Sequence, residues 1–220
     1  MTNLNFIYSE LTLAFSIMLL LIIGVFKKKS SSLIYNLSIL TLLIIFILSL
    51  SLFGKNSTSL FINSYKIDYL STFMKGLLYL SGIFVMLSST RYLILIQIFK
   101  IEYPILLLSS ILGMSIMISS NDLIVFYMGL ELQSLALYVL ASFKRENPLS
   151  AESGLKYFVL SALSSGLLLY GCSLIYGYAG STNFDIISSN INSVNYGLTF
   201  GIVFILVGLA FKISAVPFHM

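Results

Sequence analysis

The 220 residues contain no tryptophan, a single cysteine and a single histidine, and only 9% of them are charged. The lone Cys172 excludes an intrachain disulfide and any iron–sulfur or cysteine-rich zinc site within the chain, and inside an apolar run it packs as a small apolar residue. No glycine-rich nucleotide loop follows a strand and no paired His–Glu metal signature occurs, so no cofactor is expected on this chain. A cleavable targeting segment is also missing: Lys27, Lys28 and Lys29 follow the first apolar run where a small-residue cleavage site would stand, and there is no Arg-rich presequence. Such a chain suits synthesis in the compartment whose membrane it enters. The bias to Ile, Asn, Ser, Lys, Phe and Tyr hints at an AT-rich organellar genome.

What fills the chain is apolar. Hydrophobic residues make up 58%, and the mean hydropathy is +1.01. Soluble domains carry about 25% charged residues, so this composition describes a polytopic membrane protein. Seven runs approach the ~20 residues a helix needs to cross ~30 Å of hydrocarbon. They are Phe6–Phe26, Leu33–Phe53, Phe73–Ile98, Tyr103–Ser119, Leu123–Phe143, Tyr157–Ala179 and Tyr196–Phe211. Each is continuously apolar, whereas barrel strands alternate in segments of about ten residues, so the expected fold is all-α.

The net charge of +4 does not point to nucleic acid, because the lysines are scattered between helices and form no basic face. Their pattern is topogenic. Lys27–Lys29, then Arg91 with Lys100, then Lys144 with Arg145 fall on one side if the helices alternate, and Asn121, Asp122 and Asp185 fall on the other. Positive charge marks the cytoplasmic or matrix side, which puts the N-terminus outside, against the opposing Lys55, Lys66 and Lys75.

Charges inside the runs are the candidate functional residues. Glu10 and Lys75 stand at the starts of their runs and are expected, with Arg91, to snorkel to the interface. Glu131 is central, in Gly129-Leu-Glu-Leu-Gln-Ser134. A carboxylate there costs roughly 2.5–3.5 kcal/mol on insertion scales, so it faces a bundle interior or a polar path, either as a proton carrier or in a static salt bridge. Gln133 and Ser134 are placed to hydrogen-bond at its level. Lys212 interrupts the run from Phe200 to Ala210, and Pro217 follows five residues later, where it blocks regular helix. Transporters build midplane ion sites at such broken helices. Burial disfavours a lysine's charge and a nearby carboxylate restores it, so Lys212 reads as a relay group, the alternative being a helix-ending lysine that snorkels. Lys156 follows Glu152 by four residues, a surface ion pair or a step in a proton path. His219, the sole histidine, lies just past the expected break, and its ordinary titration range suits proton uptake or release.

Three strings carry a resemblance: Asp122-Leu-Ile-Val-Phe-Tyr-Met-Gly-Leu-Glu-Leu-Gln-Ser-Leu-Ala-Leu-Tyr138, the stretch from Glu152 to Gly171, and Gly208-Leu-Ala-Phe-Lys-Ile-Ser-Ala-Val-Pro-Phe-His219. They resemble subunit 2 of proton-pumping NADH:quinone oxidoreductase, respiratory complex I, from about Ser119 onward; residues 1–100 fit by hydropathy. The resemblance implies three N-terminal helices over residues 1–100, then the first part of an antiporter-like unit over 101–220, with the last helix interrupted near Pro217. It implies that Glu131, Lys156 and Lys212 are proton-relay residues, and His219 is added to them as a candidate on its position alone. It further implies a non-redox subunit of the oxidoreductase that binds neither NADH nor ubiquinone, whose partners are membrane lipids and the other membrane-arm subunits. The mitochondrial inner membrane is the expected site, with the N-terminus on the intermembrane-space side. Members of the family continue into a further helix with another central lysine and then a second, inverted unit, so a second polypeptide is expected to complete the subunit. Rival readings are a subunit of a cation/proton antiporter or membrane-bound hydrogenase, a plastid homologue acting with plastoquinone, and a membrane scaffold without pumping.

Overall fold

The computed structural model describes residues 7–27, 31–53, 57–190 and 196–216. Lys28, Lys29, Lys55, Pro217 and His219 lie outside the described residues, and so does the expected helix break at Pro217. The chain is an all-α polytopic membrane protein. Its elements run α1 (Tyr8–Phe26), α2 (Ser31–Ser51), β1 (Thr58–Leu60), β2 (Tyr65–Ile67), α3 (Tyr69–Leu95), α4 (Glu102–Ile118), α5 (Leu123–Ala141), α6 (Pro148–Ala179), α7 (Phe184–Asn190) and α8 (Tyr196–Lys212).

Seven of these helices coincide with the seven apolar runs. Five are long and apolar enough to cross a membrane, and α4 and α8 are apolar helices of 17 residues each. Three features depart from the sequence expectation. α6 begins at Pro148, so Glu152 lies within the helix and not in the connection before it. Asn147 sets that start: its side chain accepts a hydrogen bond from Leu149 N at 3.0 Å, and the proline occupies the first turn, where its missing N–H goes unmissed. The other two are the short helix α7 and an antiparallel hairpin of β1 with β2, which pairs Thr58 with Ile67 and Leu60 with Tyr65.

Two packed groups of helices share the structure. Leu13, Ile34, Leu42, Tyr79, Met86 and Leu108 fill the space between α1, α2, α3 and α4. Leu130, Leu168, Cys172, Ile175 and Leu198 fill that between α5, α6 and α8. The outward faces stay apolar, with Phe15, Met18, Val25, Phe200 and Leu206 exposed, as lipid-facing surfaces are.

Helix association in lipid depends on close backbone approach. Glycines provide it at both crossings that position the site. A Cβ on Gly113 would stand 2.6 Å from Gln133 N, and one on Gly129 2.9 Å from Gly113 O, so α4 and α5 touch backbone to backbone. Between α6 and α8, a Cβ on Gly171 would stand 2.8 Å from Gly201 O and one on Gly208 2.8 Å from Leu168 Cβ.

The loops on the acidic side are latched together. Asp185 Oδ2 accepts from the side chains of Asn63 and Asn121, both at 2.9 Å, and Asn63 O accepts from Asn121 and Asn183 at 2.9 Å. Asp122 caps α5 through Ile124 N at 2.8 Å and accepts from Thr182 Oγ1 at 2.6 Å. These bonds tie the hairpin, the α4–α5 turn and the segment after α6 into one rim.

Candidate functional site: a glutamate–lysine pair between three helices

Glu131, Ser134 and Tyr138 follow one another at three- and four-residue steps, so α5 presents all three on one face. α6 opposes them with Ser161 and Ser165, one turn apart. α8 packs along α6, and Lys212, its last residue, reaches across to α5.

The lysine meets the glutamate. Lys212 Nζ lies 3.2 Å from Glu131 Oε1, with side chains 11% and 21% exposed. Nζ also donates to Tyr138 Oη at 3.2 Å and approaches Ser134 Oγ at 3.4 Å, which distributes its three donors over three acceptors. It stands 5.9 Å from the centre of the Tyr138 ring. Ser165 donates to the same Glu131 oxygen, and Tyr138 Oη donates to Ser161. Tyr138 is held by edge-on contacts with Tyr157 and Phe158, at 4.8 and 5.7 Å between ring centres.

Two cavities adjoin this network. One of about 90 Å³ is lined by Tyr157, Ser161, Ser164, Lys212 and Ser214, room for a few waters at ~30 Å³ each. The other, about 710 Å³, runs from Lys100, Glu102 and Arg145 on the basic side to Tyr138. Tyr138 therefore borders the large cavity while its hydroxyl touches Lys212.

The remaining sequence candidates fall elsewhere. Lys156 pairs with Glu152 at 2.6 Å, with side chains 62% and 57% exposed, at the start of α6. Glu10 and Lys75 do not snorkel, contrary to expectation. They form a buried ion pair at 2.6 Å between α1 and α3, because the hairpin and α4 cover the ends of the helices that carry them. Sequence reasoning also missed Tyr138, Ser161 and Ser165; the step spacing from Glu131 to Tyr138 was the available signal for the first. Among the described residues, no group of three or more His, Cys, Asp or Glu side chains could hold a metal ion.

Comparison with known proteins places this geometry. Residues 120–220 match the family model for the transmembrane region of NADH:quinone oxidoreductase and Mrp antiporter subunits. NADH-quinone oxidoreductase subunit N of Pelagibacter ubique is 66% identical over 220 residues, all of this chain and 47% of that protein. The subunit N of Parvibaculum lavamentivorans is 46% identical over 213 residues, 96% of this chain and 44% of that protein. Among solved structures, respiratory complex I from Thermus thermophilus with bound aureothin matches with a TM-score of 0.79 at 26% identity, covering 96% of this chain and 45% of the matched one. The Mrp complex from Dietzia shares the fold, with a TM-score of 0.79 at 18% identity over 99% of this chain and 42% of the matched one. The chain spans about half the length of the curated relatives it matches. Residues 120–220 thus belong to the NADH:quinone oxidoreductase/Mrp antiporter transmembrane family, and the whole chain is homologous to about half of NADH-quinone oxidoreductase subunit N.

Proposed function

We propose that this chain contributes to proton translocation coupled to electron transfer from NADH to ubiquinone, as a non-redox part of the membrane arm of a proton-pumping NADH:quinone oxidoreductase. The observation that carries the reading is the contact of Lys212 with Glu131 inside a ring of hydroxyls. With Glu131 ionised, the carboxylate holds the Lys212 ammonium in a partly buried site. Neutralising that carboxylate leaves the ammonium with only the neutral oxygens of Ser134 and Tyr138. The ammonium then lacks the opposite charge within about 4–6 Å that stabilises a buried cation. Opening and closing the pair therefore loads and unloads Lys212. Tyr138, with one face on the large cavity and its hydroxyl on Lys212, connects the site toward the basic side.

Lys156 is proposed as a further relay group on the resemblance, and His219 on its place after the expected break and the ordinary titration range of an imidazole. The partners proposed are other membrane-arm subunits of the complex and membrane lipids. The sequence bias suggests a mitochondrial inner membrane and the charge pattern an N-terminus on the intermembrane-space side, whereas the relatives named above are bacterial, which favours a bacterial membrane. The deciding experiment is proton uptake per quinone reduced in vesicles carrying the complex with Glu131→Gln. A ratio equal to that of the unmodified complex would refute the relay.

A further inference from the structure

Glu10 and Lys75 take no part in the site just described, and they are the most deeply buried ionic pair among the described residues. Lys75 Nζ lies 2.6 Å from Glu10 Oε1, with side chains 4% and 7% exposed. Nζ donates a second hydrogen bond to Tyr65 Oη at 2.9 Å and stands 5.0 Å from the centre of that ring. Ser9 Oγ donates to Glu10 Oε2 at 2.8 Å. α1 thus brings Ser9 and Glu10 to the pair, β2 brings Tyr65, and α3 brings Lys75 with the fully buried Tyr79. α4 contributes no ionisable group, only the hydroxyl of buried Ser115, followed by Ser119 just past its end. Tyr79 Oη and Ser119 Oγ are buried without a hydrogen-bond partner in the chain.

Stability is a weak reason for this arrangement, because buried ion pairs are often replaced by apolar residues of similar volume with no loss. Nor is the pair saturated. An ammonium has three donors and a carboxylate about four acceptor positions, yet each group here has two partners, beside spare hydroxyls. The backbone of Tyr65 bridges to Ser120 at the rim while its hydroxyl meets Lys75. Its neighbour Lys66 donates from its backbone to Ser119 O at 2.8 Å, and the side chain of Lys66 pairs with Asp68 at the surface. Burial first, and then the charge of Glu10, push the Tyr65 phenol well above its usual range. It therefore stays protonated, and its hydroxyl accepts the hydrogen bond from Lys75.

We propose that Glu10 and Lys75 form a second proton-exchange site, reached through Tyr65 from the rim that carries Asp68, Asp122 and Asp185. In the exchange, Glu10 gains an O–H bond, a hydronium at the rim loses one, and Lys75 Nζ keeps its hydrogen bond to Tyr65 Oη. The site passes from net zero to one positive charge and returns when the proton leaves. It is spatially separate from Glu131 and Lys212, and it holds whether or not that pair pumps.

The test uses membrane vesicles carrying the assembled chain and dicyclohexylcarbodiimide, an apolar reagent that adds to protonated carboxyl groups. Mass spectrometry of the Glu10 peptide is expected to show labelling that declines by up to about tenfold per pH unit above the site's titration point. Lys75→Gln is expected to extend labelling to higher pH, and Glu131→Gln to leave it unchanged. Infrared difference spectra between low and high pH supply a second readout that needs no reagent access. They are expected to contain a carboxyl C=O band that vanishes in Glu10→Gln and survives in Glu131→Gln. Labelling independent of pH overturns the proposal, and so does the absence of that band. Loss of pumping control in Glu131→Gln alone bears only on the function proposed above.

Discussion

Lys212 Nζ and Glu131 Oε1 lie 3.2 Å apart across an interface of three helices, although 81 residues separate them in the chain. The contact exists because the glycines of α6 and α8 let the two helices run in backbone contact, which carries the end of α8 up to the polar face of α5.

Glu131→Gln keeps the volume and the hydrogen bond from Ser165 and removes the charge. Assembly is expected to persist while protons moved per quinone reduced fall, measured in vesicles by proton uptake against quinone consumption.

Lys212→Met separates a relay from a static strut. A strut predicts destabilisation of about 3–5 kcal/mol, as when one partner of a buried pair is removed. We expect a smaller effect, because both side chains retain some exposure, together with lowered turnover at near-normal abundance of the complex. Reduced abundance with normal activity per assembled complex would favour the strut.

Lys156→Met and Glu152→Gln test the exposed pair on α6. If Lys156 is a relay group, pumping falls in Lys156→Met and holds in Glu152→Gln. A surface ion pair predicts that neither variant changes pumping.

Gly208→Leu should separate α6 from α8, since even a Cβ would meet Leu168 Cβ at 2.8 Å and Ser164 O at 3.0 Å. Overpacking of this kind costs about 1–3 kcal/mol. A lowered melting temperature together with loss of pumping is expected; an unchanged melting temperature would show that the crossing tolerates a side chain.

Asp185 couples the rim to pH. Its hydrogen bonds from Asn121 and then Asn63 hold its carboxyl below the usual range. A depressed carboxyl stabilises the folded state fully above its ordinary titration near roughly pH 4, and that contribution disappears as pH falls through the depressed value. Asp185→Asn should flatten the acid limb of the stability curve in that window, read by thermal denaturation at successive pH values. An unaltered acid limb would show that the latch does not depend on the charge.

The sequence by itself determined the membrane class, the seven apolar helices and the singling out of Glu131 and Lys212. Each follows from the composition of a local stretch: a run of apolar residues must bury its backbone polar groups as helix in lipid, and a charge at mid-span is conspicuous within its own run. The early start of α6 turned on the Asn147 cap and Pro148, signals outside the apolar run. Only the tertiary structure decided which charges meet. Glu10 and Lys75 sit at the starts of their runs and read locally as interfacial, yet the hairpin and α4 close over them. Tyr138 and Ser165 looked like ordinary span residues until packing set them beside Lys212 and Glu131. Burial and pairing depend on what the other helices bring to a position, and single-run periodicity carries no record of that.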